Sequence, residues 1–399
     1  MYDRNRNSWD VALLYLSLSI YPFSVILAAV LRLLSLDFFA SKTIFLGYGL
    51  VALVAFFILL RFPVSLKRLS SLFFVYLVYV FLFLTSHQSV QGRYLDSDMV
   101  MIYSFYLPYA MLILSRISDF SPLFDNKIID SINSFLIIGS FLVKFILKDA
   151  TGYMTFSYNL LPFWILTSFS FLKKPTLIKL GVLLVMLVEG VVYGARGPLI
   201  WLVISILVFY ILQRFDNQKP ITISMRSLFT VTGIGLGLVL FVIVLFQILT
   251  RLNVANSYIL NRAATGVLTQ STGRDNMIKI ALTYLKGMGV DFNGMFFDRT
   301  IMPDGVYVHN LFLETFLSFG WLLGSLIILA LFYFIGKTFF KTDITGKKVV
   351  VFLTSSFFLK YFLTGSIYDD YTFIIYLTLM YAVYKQSHPD KLVIYDKKR

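Results

Sequence analysis

Apolar residues in this chain come in long unbroken runs rather than in the narrow stripes of a water-facing helix. A helix needs about 20 mostly apolar residues to cross the hydrocarbon of a bilayer. Reading the runs against their polar interruptions predicts helices at 11–35, 43–60, 69–86, 99–115, 128–147, 156–172, 177–193, 198–212, 227–249, 309–335, 349–365 and 371–384. The pattern predicts an all-α polytopic membrane protein of about twelve transmembrane helices, one membrane domain over residues 1–399. The polar stretch Met1 to Asp10 leads into Val11–Leu31. That run is longer than the apolar core of a signal peptide and has no small-residue cleavage site, so it is expected to be retained. One connection, 250–308, is long. Within it Ile278, Ala281, Leu282 and Leu285 recur at helical spacing. Thr272 and Asp275 have the spacing of a capping box, and Gly287 and Gly289 mark an end. The loop is therefore expected to be ordered and partly helical.

Composition strengthens this reading. Hydrophobic residues make up 58% and charged residues 14%, against about 45–50% and about 25% in soluble domains. There is no cysteine, which excludes a disulfide framework, a thiolate nucleophile and a thiolate-held metal. The net charge of +14 raises the question of nucleic acid, and its distribution answers it. With the N-terminus inside, the cytoplasmic segments carry 22 of the 35 Lys and Arg, the external segments 10, and the spans 3. Every short inside loop is basic, as the positive-inside rule requires. The basic excess reads as topology, with both termini cytoplasmic and no nucleic-acid partner. Gly233, Gly235 and Gly237 alternate within the ninth span, while Gly320 and Gly324 have small-xxx-small spacing in the tenth. Both predict close helix packing.

Three ionisable side chains stand beside external helix starts. In Gly194-Ala195-Arg196-Gly197-Pro198, Pro198 suits the first helical position and Gly197 the cap. Arg196 would stand outside free N–H groups and the positive end of a helix dipole, which favour an anion. Its planar fork suits phosphate oxygens, although an Arg reaching for lipid headgroups reads the same way. Arg274, in Ser271-Thr272-Gly273-Arg274-Asp275, falls in the first turn of the loop helix, where the dipole disfavours a cation. A bound anion would offset that, and so would an ion pair with Asp275 or Asp291. His309 and Asn310 open the tenth span. A neutral histidine there could move a proton or donate to a phosphate, or simply cap the interface. Glu314 lies about 500° further round the helix, off the face of His309.

Arg32, Lys144, Lys360 and the acid Glu189 fall in the outer halves of their spans. Ionisable groups inside a span usually face a polar cavity. With Arg299 of the long loop they predict an external electropositive pocket suited to a lipid-linked diphosphate. Asp96-Ser97-Asp98 and Asp369-Asp370 are acidic pairs outside. Such spacing can hold Mg²⁺, but solvated turns are the commoner meaning, and no metal is predicted. Neither a zinc-spaced His/Cys set nor a P-loop nor a serine nucleophile elbow is present.

These residues, taken in order, resemble the O-antigen polymerase/ligase superfamily of bacterial membrane glycosyltransferases. Tyr193-Gly194-Ala195-Arg196-Gly197-Pro198-Leu199 is similar to the family's small-x-Arg-Gly-Pro segment. Thr272-Gly273-Arg274 and Lys286-Gly287-Met288-Gly289 are similar to its Gly-Arg and Gly-x-Gly elements. His309-Asn310-Leu311-Phe312-Leu313-Glu314, with Gly320 and Gly324, is similar to its His-Asn-x-x-Leu-Glu…Gly segment. The match covers roughly residues 190–325. It departs at Lys286, where a Pro often stands, and in lacking the aromatic that usually follows Arg274.

The resemblance implies a glycosyltransferase-C-like membrane enzyme with no cofactor and no metal. Such an enzyme moves a glycan from undecaprenyl diphosphate to a sugar hydroxyl on the outer face of the bacterial cytoplasmic membrane. Arg196 and Arg274 would hold the diphosphate and His309 would position or deprotonate the acceptor. Arg32, Lys144, Glu189, Arg299 and Lys360 would line the substrate site. The expected partners are undecaprenyl-diphosphate-linked oligosaccharides, membrane lipids and a chain-length regulator. Polymerisation of repeat units is the first expectation. A ligase delivering glycan to lipid A core or protein is the alternative within the superfamily, and a flippase for lipid-linked oligosaccharides is the alternative from another class.

Overall fold

The computed structural model describes residues 2–84, 102–147, 152–192, 195–216, 274–287 and 292–387. The window at 227–249 with its alternating glycines, the Asp96–Asp98 pair, Thr272 and Gly289 lie outside the described residues. Among those described the protein is all-helical. Its longer helices are α1 (Tyr2–Leu33), α2 (Thr43–Arg61), α3 (Leu66–Leu84), α4 (Leu107–Leu112), α5 (Lys127–Leu147), α6 (Tyr153–Lys173), α7 (Leu177–Val192), α8 (Arg196–Asp216), α9 (Arg274–Gly287), α10 (Leu311–Lys341), α11 (Ile344–Leu353) and α12 (Tyr371–Gln386).

Five stretches among the described residues are long and apolar enough to cross a membrane: Asn5–Leu33, Thr43–Arg61, Lys127–Phe145, Gly197–Arg214 and Leu311–Lys341. Helices α2 and α3 also turn large apolar side chains outward, including Phe45, Phe56, Phe57, Phe73, Phe74 and Phe81. A surface of that kind is unsuited to water and suited to hydrocarbon, where a helix satisfies its own backbone.

The chain divides into two compact units: Met1–Leu14, Ala52–Phe120 and Ser271–Arg399 form the first, Tyr15–Val51 and Ser121–Gln270 the second. In the second unit α6 is central and packs on α5, α7 and α8. Its Phe163, Trp164 and Ile165 are fully buried. Gly190 of α7 lets α8 come close, because a Cβ there would lie 2.6 Å from Leu199 and 3.4 Å from Trp164. In the first unit α10 packs on α9, α11 and α12. Each of α10, α11 and α12 begins at a side-chain cap. Asn310 accepts from the N–H groups of Phe312 (3.0 Å) and Leu313 (3.2 Å), Asp343 from Gly346 (2.7 Å), and Asp370 from Thr372 (3.0 Å). Such caps satisfy donors that have no partner within the helix.

Three windows differ from their predicted form. The window 349–365 is not one straight helix, since α11 passes into a π turn at Thr354–Phe358 and a 3₁₀ turn at Leu359–Phe362. Leu363 and Thr364 both donate to the Lys360 carbonyl (2.9 and 2.7 Å), and Gly365 at φ +78° closes the turn. The window 99–115 is likewise broken into a π turn (Ile102–Tyr106), α4 and a 3₁₀ turn (Leu114–Arg116). In α9 the buried residues are Ala281 and Leu285, while Leu282 is exposed. Ala281 and Leu285 pack with Phe297, Met302, Val308 and Leu317, so the helix rests its inner face on α10 and the loop before it.

Gly320 serves a break in the helix rather than a packing contact, while Gly324 lets the two resulting helical pieces come close. Gly320 (φ 71°, ψ 174°) breaks α10 into two helical pieces. The freed carbonyl of Ser318 accepts from the N–H groups of Asn293 (3.0 Å) and Gly294 (2.8 Å). That of Leu317 accepts from the Asn293 side chain (3.0 Å). A Cβ on Gly324 would meet Phe316 at 2.9 Å, across the same kink. The kink thereby staples the 292–297 loop to α10. Gly320→Ala should cost about 1–3 kcal/mol, because this combination of φ and ψ is open essentially to glycine alone, measured by reversible unfolding in detergent; a loss below a few tenths of a kcal/mol would show that the backbone relaxes freely at this point.

Candidate functional site

The stapled loop delivers Asp298 and Arg299 to the interior of the first unit. Arg299 is 4% exposed. Its guanidinium meets Asp369 at 2.5 Å, Asp298 at 3.3 Å and Glu314 at 3.8 Å, and donates to the Ser366 hydroxyl at 3.1 Å. It also lies over the Phe296 ring at 4.7 Å and the Tyr307 ring at 5.7 Å. The remaining carboxylate oxygens are tied down as well. Asp298 accepts the Val308 N–H (3.0 Å), and Glu314 accepts the Ile367 N–H (3.1 Å) and the Ser366 hydroxyl. Asp370 pairs with Lys360 at 2.5 Å while capping α12. Burial raises the carboxyls of Asp298 and Asp369, and Arg299 draws both back down.

Two expectations change here. Arg299 and Lys360 were expected to face substrate, but both are neutralised by internal carboxylates, so they leave no uncompensated positive pocket around themselves. The Asp369-Asp370 pair, read as a solvated turn, is a structural pair, one acid on each of those bases. Sequence spacing could not show this, because the partners are some 10 to 70 residues apart. Asp298, Ser366 and Tyr307 carried no signal in the sequence for the same reason.

His309 lies just ahead of the Asn310 cap with φ 57°. It is half-buried, and its ring stands 4.2 Å from that of Tyr307, tilted 60°. Nδ1 is buried with no hydrogen-bond partner among the described residues. Burial, with the nearby positive charge of Arg274, pulls the imidazole down to about 4. His309 is therefore neutral near pH 7. A left-handed backbone at a non-glycine residue is a strained state of the kind found at functional sites. Burial also pushes the Tyr307 phenol up, so it keeps its proton. Arg274 begins α9, and its charge bears on His309. The Glu314 carboxyl faces Arg299 and Ser366 rather than His309.

The first unit thus brings together Arg274, His309, Arg299 and Lys360. The other four predicted residues belong to the second unit. Arg196 is the first residue of α8, whose approach is held by the Ala195 N–H donating to the Ser157 hydroxyl (2.8 Å). Arg32 is exposed in the last turn of α1. Lys144 is 5% exposed, over the Phe156 ring at 5.0 Å. Glu189 is fully buried and accepts from the Trp164 indole at 3.3 Å.

Fold and site define a membrane-embedded all-α protein with a buried ion cluster and a neutral, strained histidine beside an arginine. In comparisons with known proteins the chain matches no family model, no curated sequence and no solved structure.

Two predictions follow from the geometry. In protein with His87 and His388 replaced, the NMR titration of His309 should have its midpoint near 4 rather than the usual 6.5, and Arg274→Ala should raise it. Because the folded value is depressed, the stability contributed by neutral His309 is full above 6.5 and is lost as pH falls toward 4; a midpoint at 6.5 in the parent would remove this account. Arg299→Met strands the two buried carboxylates of Asp298 and Glu314 and the partly exposed one of Asp369, and should cost about 3–5 kcal/mol at pH 7. The loss should shrink as pH falls and the carboxyls take up protons, so unfolding at pH 7 and pH 5 checks both magnitude and sign.

Proposed function

We propose that this protein polymerises undecaprenyl-diphosphate-linked oligosaccharide repeat units on the outer face of the bacterial cytoplasmic membrane. In this reading about twelve spans cross the bilayer with both termini cytoplasmic, and the enzyme is a membrane glycosyltransferase needing no metal. The observation that carries it is a half-buried, neutral His309 just ahead of α10, with the charge of Arg274 close enough to bear on it. Glycan transfer from a diphosphate needs two things at one place: a cation for the departing diphosphate and a neutral base for the acceptor hydroxyl.

In the proposed step the acceptor oxygen forms a bond to the anomeric carbon of the donor sugar. The bond from that carbon to the diphosphate oxygen breaks, and the electron pair leaves with the diphosphate. The hydroxyl proton passes to His309, and Arg274 meets the charge that develops on the leaving group. The two residues are coupled. Burial and the charge of Arg274 together keep His309 a weak base, whereas a diphosphate bound to Arg274 would offset that charge and make His309 more basic when the donor is in place. The resemblance to the polymerase/ligase superfamily supports the same assignment and adds Arg196 as a diphosphate ligand.

Reconstituted with one defined prenyl-diphosphate-linked repeat unit and no other acceptor, the protein should give a ladder of products. Arg274→Ala and Arg196→Ala should abolish the ladder at normal protein levels, and His309→Ala should lower the rate by about 10²–10⁴-fold, the usual worth of a general base. An undiminished ladder from Arg274→Ala would overturn the assignment. Transfer only after addition of lipid A core or a protein acceptor would make the protein a ligase, and lipid crossing the bilayer without transfer would make it a transporter.

A further inference from the structure

The first unit also carries an open cavity of about 1010 Å³, at the upper end of the range of about 300–1,000 Å³ for small-molecule sites. Its two regions differ in chemistry. One is a rim of five cations, Arg6, Lys67, Arg68, Arg116 and Lys385, and no carboxylate among the described residues lines the cavity. The other is an apolar shaft between α3, the 102–116 segment and α12, with Val75, Val78, Leu107 and Leu377 on its walls. It reaches Met295, Phe319 and Tyr368, which pack with Phe296 beneath the Arg299 guanidinium.

The rim is a real concentration of charge rather than a scatter along the sequence. Arg6, Arg68 and Arg116 all act on the single carboxylate Asp10. Asp10 is committed to Arg116 at 2.8 Å, which also donates to the Phe62 carbonyl at 3.0 Å. Arg68 feels the repulsion of Arg116 and Arg6. No carboxylate among the described residues is within ion-pair distance of Lys67, Arg68 or Lys385. Three of these cations share one buried acid, and with Lys67 and Lys385 on the same cavity they leave an excess of positive charge that an anion would stabilise.

The shaft narrows the choice of anion. A free phosphate would satisfy the rim and leave the apolar volume unfilled, whereas an anionic phospholipid supplies a phosphate for one region and an acyl chain for the other. We propose that this cavity binds one anionic membrane phospholipid, its phosphate on Lys67, Arg68 and Lys385 and an acyl chain in the shaft. All five rim cations come from segments that the charge pattern places on the cytoplasmic side. The site is therefore separate from the proposed transfer site, and its occupant is a structural lipid rather than the glycan donor.

Native mass spectrometry of the delipidated, detergent-purified full chain tests this with dioleoyl phosphatidylglycerol, dioleoyl phosphatidylcholine and glycerol phosphate as probes. The parent should retain one phosphatidylglycerol in preference to phosphatidylcholine and should not bind glycerol phosphate at matched concentration. Lys67→Gln with Arg68→Gln should weaken retention by about 25-fold, about five-fold for each cation near an anionic headgroup. Val78→Trp, on a partly exposed wall of the shaft where folding is little disturbed, should also abolish retention while leaving the rim intact. Equal retention of the two lipids, glycerol phosphate binding as well as the lipid, or undiminished retention in Val78→Trp would each overturn the proposal. Product ladders are read separately, so a protein that polymerises without holding this lipid refutes only the lipid site.

Discussion

Arg299 carries a positive charge into a place that water hardly reaches, and carboxylates from three separate segments close around it. Asp298 comes from its own short helical turn, Glu314 from the start of α10, and Asp369 from the loop before α12. A buried charge without partners costs several kcal/mol, so none of these segments can leave without exposing the others to that penalty. The cluster therefore fixes the loop, the helix start and the capped turn as one piece. It depends in turn on the kink at Gly320, whose freed carbonyls hold the backbone just ahead of Asp298. The Tyr307 ring over Arg299 then carries this rigidity to His309.

That arrangement explains how a histidine can be kept in an unfavourable state. His309 has a left-handed backbone, a partly desolvated ring and a cation nearby. Each is a local cost, and each is imposed by neighbours that are themselves held in place, by the Asn310 cap on one side and Tyr307 on the other. A group held in this way loses little freedom when a reacting partner arrives. The ion cluster thus braces the segment that carries His309.

The first unit also carries two ion clusters of opposite balance. Around Arg299 three acids surround one base, whereas of the five bases that line the cavity three share a single acid. The acid-rich cluster is closed by hydrogen bonds on nearly every oxygen, and the base-rich rim opens onto an apolar shaft. A closed cluster serves the fold, while an open one with excess charge is the kind that takes a ligand.

Much of the architecture was legible in the sequence. Runs of apolar residues, such as those that became α2, α5 and α10, announce helices because a chain that cannot hide its apolar surface in water must satisfy its backbone internally. The helix in the long loop was legible from its period, and Arg274 and His309 from their place at helix starts. Several features were decided only by tertiary structure. Gly320 reads as a packing glycine until its φ is seen, Leu282 reads as core until its neighbours are placed, and Asp369 reads as a loop acid until Arg299 lies 2.5 Å away. The reason is physical. Hydrophobic period and local capping act within a few turns of chain and leave their mark in adjacent residues. The charge state and partner of a buried side chain depend on which distant segments fold against it. The sequence by itself determined that this is a helical protein built for a membrane and which ionisable residues stand at the starts of its helices. Only the fold decided which of its charges are paired inside, because those partners are brought together from distant segments.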